Sequence, residues 1–183
     1  MISEKAISSI DHLFTEAARS SLVLNPSDTC EIASVPDDGA LNEGVPSTVL
    51  IITCSSFVFR LFTLLRLVDD AETRAYFTHG SGTEANWADA LFEAANLCSG
   101  AVNRSLSQYF PHIGMSTPYT LSSGCLSFLE DLQPQHVLHY AIRIRESVRL
   151  RATVCVCSYA PIDFSVDRMQ PTDTTSSGAL ELF

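Results

Sequence analysis

Apolar residues recur at helical spacing in two long stretches of the chain and at strand spacing in several others. Residues 3–20 place Ile7, Ile10, Phe14 and Ala17 on one side of a helix, with Asp11, Glu16 and Arg19 elsewhere around it. Asn86–Gln108 predicts a second long helix, with Asn86 as its cap. Within it, Leu91, Ala94, Ala95, Cys98, Ala101 and Val102 form an apolar face of mostly small residues that can pack closely on a sheet. Thr48–Cys54 is a β-branched apolar run that reads as a buried strand; Ser55-Ser56 turns it and Phe57–Leu65 returns. Leu67–Phe77 reads as a short helix, and His79–Thr83 as a Gly-containing turn. Gly114–Leu121 is extended, with an interruption at Pro118. Val137–Glu146 and Val148–Tyr159 alternate as two strands joined by a tight turn. Ile142, Ile144, Val148 and Leu150 point to a core, while Arg143, Arg145, Arg149 and Arg151 point outward.

Asn25–Ser47 is rich in Pro, Asp, Gly and Ser and lacks periodicity, so it reads as a long surface loop with a short strand near Cys30–Val35. From about residue 166 to 183 the chain is polar and is expected to be a flexible tail. The order helix, loop, strand pair thus occurs twice. A short echo accompanies it: dropping Thr15 from Leu13–Arg19 aligns that segment with Leu91–Asn96, setting Glu16 on Glu93 and Arg19 on Asn96. The expected architecture is α+β, with long helices packed on an antiparallel sheet. It would form a single domain over residues 1–165, with an internal pseudo-two-fold repeat of half-units near 1–80 and 81–165.

The 183 residues suffice for one substantial core without a disulfide or metal staple. A net charge of −10 makes nucleic acid a poor partner and disfavours an anionic membrane surface. Lys5 is the single lysine; every other basic side chain is Arg. The six cysteines form no C-x-x-C pair, and Cys54, Cys98, Cys155 and Cys157 lie in apolar runs as reduced core residues. The N-terminal helix carries no apolar signal core, and no uncharged run approaches the ~20 residues a span needs. The expected location is cytoplasmic.

The other face of the second helix carries the candidate chemistry. Asp89, Glu93, Asn96, Gly100 and Asn103 fall within about a quarter of its circumference. A purely solvating face would more often be filled with Lys, Glu and Arg. Gly100 costs ~1 kcal/mol against Ala in a helix interior, which close approach by a partner or tight internal packing would explain.

Asp89-x3-Glu93-x2-Asn96, then Gly100, then Ser116-Thr117-Pro118-Tyr119-Thr120-Leu121-Ser122-Ser123-Gly124 resembles the signature of the CheC/CheX/FliY phosphatases. That signature is a Ser or Asp, a Glu, an Asn and a downstream Pro, and the likeness is sharpest over Asp89–Gly124. The resemblance implies hydrolysis of the aspartyl phosphate on a CheY-like receiver domain. Asn96 would aim the attacking water and Glu93 would pair with the receiver's active-site lysine. Asp89 would support them, and Pro118 would shape the loop beside the helix. No cofactor would be bound by this chain, because Mg²⁺ would arrive with the receiver. With Arg19 standing where the second helix has Asn96, one active site is expected per chain, as in CheX-like members. A homodimer through the sheets, using the arginine face of the last hairpin, is a further implication; an ordinary solvated sheet face is the alternative.

Chemistry favours this division of roles. An acyl phosphate is already activated, so placing a water in line is an orientation task. An amide offers a donor and an acceptor without repelling the phosphoryl group, and a carboxylate suits a lysine. The rival reading is a non-catalytic module of the same fold that binds a receiver or a motor or signalling component. Other motifs carry less. His136 and His139 would lie on opposite strand faces, which opposes a shared metal. Gly80-Ser81-Gly82-Thr83 lacks the Lys of a phosphate loop. The pairs Asp37-Asp38 and Asp69-Asp70 read as loop or helix-edge residues.

Overall fold

The structure, a computed structural model, describes residues 1–36, 48–66, 70–80 and 87–166. Helix α1 spans Glu4–Leu22. Ser3 caps it, its hydroxyl accepting from the Ala6 amide at 3.2 Å, with Glu4 in the positive first turn and Arg19 in the last. Strands β1 (Cys30–Val35), β2 (Thr48–Ser55) and β3 (Phe59–Arg66) follow, then helices α2 (Ala71–Gly80) and α3 (Trp87–Ser107). Two short edge pieces, β4 (Gly114–Met115) and β5 (Tyr119–Ser122), precede two 3-10 turns at Ser123–Phe128 and Glu130–Leu132. The described chain closes on the hairpin β6 (His136–Ile144) and β7 (Val148–Ser158).

The sheet is antiparallel throughout and runs β1-β6-β7-β3-β2, with β4 and β5 both on the outer side of β2. Each half of the chain therefore supplies one central hairpin and lays one edge strand against the other half's hairpin. Exchanging β1–β3 for β4–β7 leaves the order unchanged.

Helices α1 and α3 pack against each other, and together with α2 they cover one face of the sheet. Ala17 and Ala18 of α1 and Ala94 and Ala95 of α3 are buried, and such small side chains permit close helix approach. From the sheet, Leu50, Leu61, Leu65, Ile142, Leu150 and Val154 complete this main core. Phe14 meets Tyr140 at 4.6 Å between ring centroids, and the Tyr140 hydroxyl donates to Asp11 at 2.9 Å. That bond satisfies a polar group which burial would otherwise penalise. The opposite face holds a smaller cluster of Val49, Ile51, Leu64, Cys155 and Cys157, partly roofed by Cys125, Leu126 and Leu129 of the 3-10 segment.

The period-2 and period-3.6 patterns place the elements, and the differences lie at their ends. The first return strand begins at Phe59, not Phe57, because Ser56 turns the chain: its hydroxyl accepts from the Val58 and Phe59 amides and leaves Phe57 exposed. Asp70 starts α2 by accepting from the Thr73 amide at 2.7 Å, so the helix begins after the expected Leu67 and runs on through His79 and Gly80. Arg145 does not join the outward arginines. It occupies the β6–β7 turn at φ 54, donates to Asp28 at 2.9 Å and stacks over Tyr76. Val166, the expected start of the tail, is tied back, its amide donating to the Ser9 hydroxyl at 3.0 Å. Asn86, Asp37-Asp38, Asp69, Ser81–Thr83 and residues 167–183 lie outside the described residues.

Candidate functional site

Helix α3 positions the site through its buried side. Leu91, Ala94, Ala95, Cys98, Ser99, Val102 and Leu106 face the core. This fixes the rotation of the rod and turns Asp89 and Glu93 to solvent, with Asn96 and Gly100 half-buried along the same strip. Asn103 lies at the edge of the same strip. It is half-buried, and its Oδ1 is buried without a hydrogen-bond partner.

Gly100 is an indentation that none of the described residues fills. A Cβ built there would meet a single nearby atom, Nη1 of Arg104 at 3.5 Å, which is ordinary contact. Tight internal packing is therefore not the reason for the glycine. Arg104 was absent from the sequence-derived set, as was Leu97. Both lie on the exposed strip and were legible from the 3.6-residue period: Leu97 is four residues after Glu93, and Arg104 eleven. The strip thus carries an apolar side chain and a cation beside its polar, weakly charged residues.

Pro118 comes from a different element. It sits half-buried in the gap between β4 and β5, the two pieces that flank β2 as one broken edge. The break is stitched by Ser116, whose amide donates to the Thr53 carbonyl at 2.9 Å and whose hydroxyl accepts from the Thr53 amide at 3.0 Å. A residue without an N–H is tolerated at such a sheet edge. Strand β4 lies against α3, so the Pro-containing break is carried beside the helix by the sheet margin.

The stretch of α1 that the sequence echo aligns with Glu93 and Asn96 is arranged differently. Arg19 donates to Glu16 at 2.6 Å, and both are exposed, so the two side chains satisfy each other. Cys54 of β2 and Cys98 of α3 lie in the core, where burial pushes both thiols up to about 12. Neither can supply a thiolate nucleophile near neutral pH. His136 and His139 fall on opposite faces of β6, as the register shows. Among the described residues, no group of three His, Cys, Asp or Glu side chains is placed to hold a metal ion, and no helix is long and apolar enough to cross a membrane.

No family model matches the sequence, and no curated protein is significantly similar to it. Solved structures are similar in fold. The chemotaxis protein CheX from Vibrio vulnificus superposes with a TM-score of 0.55 at 12% identity, covering 80% of this chain and 98% of its own. CheX from Borrelia burgdorferi, solved in a CheX–CheY–BeF3–Mg²⁺ complex, gives 0.55 at 12% identity, covering 82% of this chain and 96% of its own. A CheC-like protein from Shewanella gives 0.53 at 9% identity, covering 85% and 99%. The chain has the α+β fold of the CheX and CheC-like chemotaxis proteins.

Proposed function

We propose that the chain is a cytoplasmic phosphatase for the aspartyl phosphate of a CheY-like receiver domain, with its site on α3. The observation that carries this reading is the placement of a solvent-facing carboxylate, Glu93, and a half-buried amide, Asn96, on one strip of a rigid helix. Nothing in the described chain covers that strip with a second element. The fold shared with a CheX solved together with CheY supports the choice of partner.

In this reading the receiver supplies the phosphoryl group, its Mg²⁺ and its lysine. Glu93 pairs with the lysine and fixes the relative orientation of the two proteins. The Asn96 amide accepts from and donates to a water, aiming it along the line of the departing aspartyl oxygen. Asp89 adds a carboxylate one turn before Glu93, and the Pro118 break shapes the neighbouring margin. The self-paired Glu16 and Arg19 on α1 leave no amide to aim a second water, which favours one site per chain. The division into half-units near 1–80 and 81–165, and a homodimer through the sheets, belong to the same proposal.

The test is the lifetime of a phosphorylated receiver in the presence of the full chain. Asn96→Ala is expected to abolish the acceleration while leaving thermal unfolding unchanged. A receiver that is bound without faster decay, equally by wild type and Asn96→Ala, would instead establish a non-catalytic binding module.

A further inference from the structure

The α3 strip does not end at Asn96. At ~100° per residue, Glu93, Leu97, Gly100 and Arg104 fall within about 60° of one another. Leu97 is 50% exposed and adds an apolar side chain to this strip, outside the face that the helix buries. Arg104 is exposed, and its guanidinium Nη1 lies 3.5 Å from where a Gly100 Cβ would stand. The side chain therefore folds back toward the N-terminus and over the glycine, the direction helical side chains favour.

This geometry opposes the ordinary role of an arginine in a last helical turn. Such a residue can serve the negative end of the helix dipole by reaching toward the final carbonyls. The Arg104 head lies a turn back from them. Among the described residues it forms no ion pair, whereas Arg19 of α1 is paired to Glu16 at 2.6 Å. Glu93 and Asp89 are the nearest charges along the strip, and both are negative. Arg104 is thus the one cation on the exposed strip of a chain whose net charge is −10.

We propose that Leu97, Gly100 and Arg104 form the docking half of the surface whose chemical half is Glu93 and Asn96. Arg104 pairs with a carboxylate at the rim of the phosphorylated receiver's pocket. The proposal rests on the receiver-phosphatase reading above. A pocket that holds an acyl phosphate and Mg²⁺ carries oxygen ligands for the ion, usually one or two carboxylates among them. Two acidic surfaces repel, and a single well-placed guanidinium both relieves the repulsion and fixes register. Gly100 lies four residues past Asn96, about 6 Å farther along the axis. That separation places the guanidinium beside the reacting phosphoryl group, not on it. Arg104 is accordingly a positioning residue that acts on association.

The experiment compares full-length wild type with Arg104→Ala, Arg104→Glu and Arg104→Lys. Steady-state turnover of a phosphorylated receiver gives KM and kcat. Titration of the same receiver as its beryllofluoride–Mg²⁺ form gives affinity at low and high salt. Arg104→Glu should raise KM and weaken binding by about tenfold or more, with kcat within about twofold. Relative to Arg104→Glu, Arg104→Lys should recover most of the loss, and high salt should narrow the difference in affinity between wild type and Arg104→Glu. Thermal unfolding of each variant separates misfolding from docking. Wild-type KM in Arg104→Glu, or a fall in kcat at constant KM, overturns the docking role while leaving the phosphatase reading intact. A wild-type chain that neither binds nor dephosphorylates any receiver overturns both.

Discussion

Replacing Gly100 by Ala should stabilise the free protein. Gly100 lies in the interior of the 21-residue helix α3, and its backbone is not left-handed, so Ala enters without strain. Among the described residues the added Cβ meets a single neighbour, the movable Arg104 guanidinium at 3.5 Å, and displaces none of them. A glycine at an interior helix position costs ~1 kcal/mol against alanine, through the larger entropy of its unfolded chain. With no packing loss to offset it, the net gain should be about 0.5–1 kcal/mol. For a chain of this size that is a rise in Tm of about 1–4 °C. Thermal unfolding followed by circular dichroism, together with a urea midpoint, reads it directly. A lower Tm would refute the reasoning, because it would mean that something packs into an indentation the structure leaves open. The same variant has a second readout. If a receiver approaches the helix at this point, the new methyl group should raise KM for the phosphorylated receiver while kcat holds.

Two other outcomes follow from the core. Tyr140→Phe removes the donor that reaches Asp11 at 2.9 Å and leaves that carboxylate half-buried without it. Hydrogen bonds to charged groups are worth about 1.5–3 kcal/mol, so a urea titration should show a loss near the lower end; an unchanged midpoint would deny the bond any role. His136 has its Nε2 buried without a partner, and burial lowers its pKa from the usual histidine value. The unfolded chain then takes up a proton near pH 6.5 while the folded chain resists it. Its share of stability is complete above about pH 6.5 and is lost as pH falls from there to the lowered folded pKa. His136→Gln should flatten the fall in unfolding free energy over that window. Identical slopes for variant and wild type would remove the assignment.

Much of this protein was legible in one dimension. Alternation in Val148–Arg151 and the small apolar face of Leu91–Val102 mark the dry side of each element, whereas Ala152–Cys157 are buried on both faces of the sheet. With the dry side of α3 fixed, Asp89, Glu93 and Asn96 had to lie along the other side; helical period gave that shared face, and the resemblance to the CheC/CheX/FliY signature gave its reading as a site. The breaks were less legible. Asp70 and Ser56 decide where α2 and β3 begin through single side-chain hydrogen bonds, which compete with periodicity at element ends.

Only the tertiary structure decided how the two halves share one sheet. Nothing local told β1 to lie on β6, or the broken β4–β5 edge to lie on β2, since a strand's edge accepts any partner in register. Nor could periodicity distinguish an outward arginine from Arg145, which the hairpin turn swings onto Asp28 and Tyr76. Whether Gly100 is packed or open, and where Arg104 puts its charge, are likewise questions of what surrounds a residue. Side-chain type and spacing determine which face is apolar; contacts between residues distant in sequence determine what that face meets.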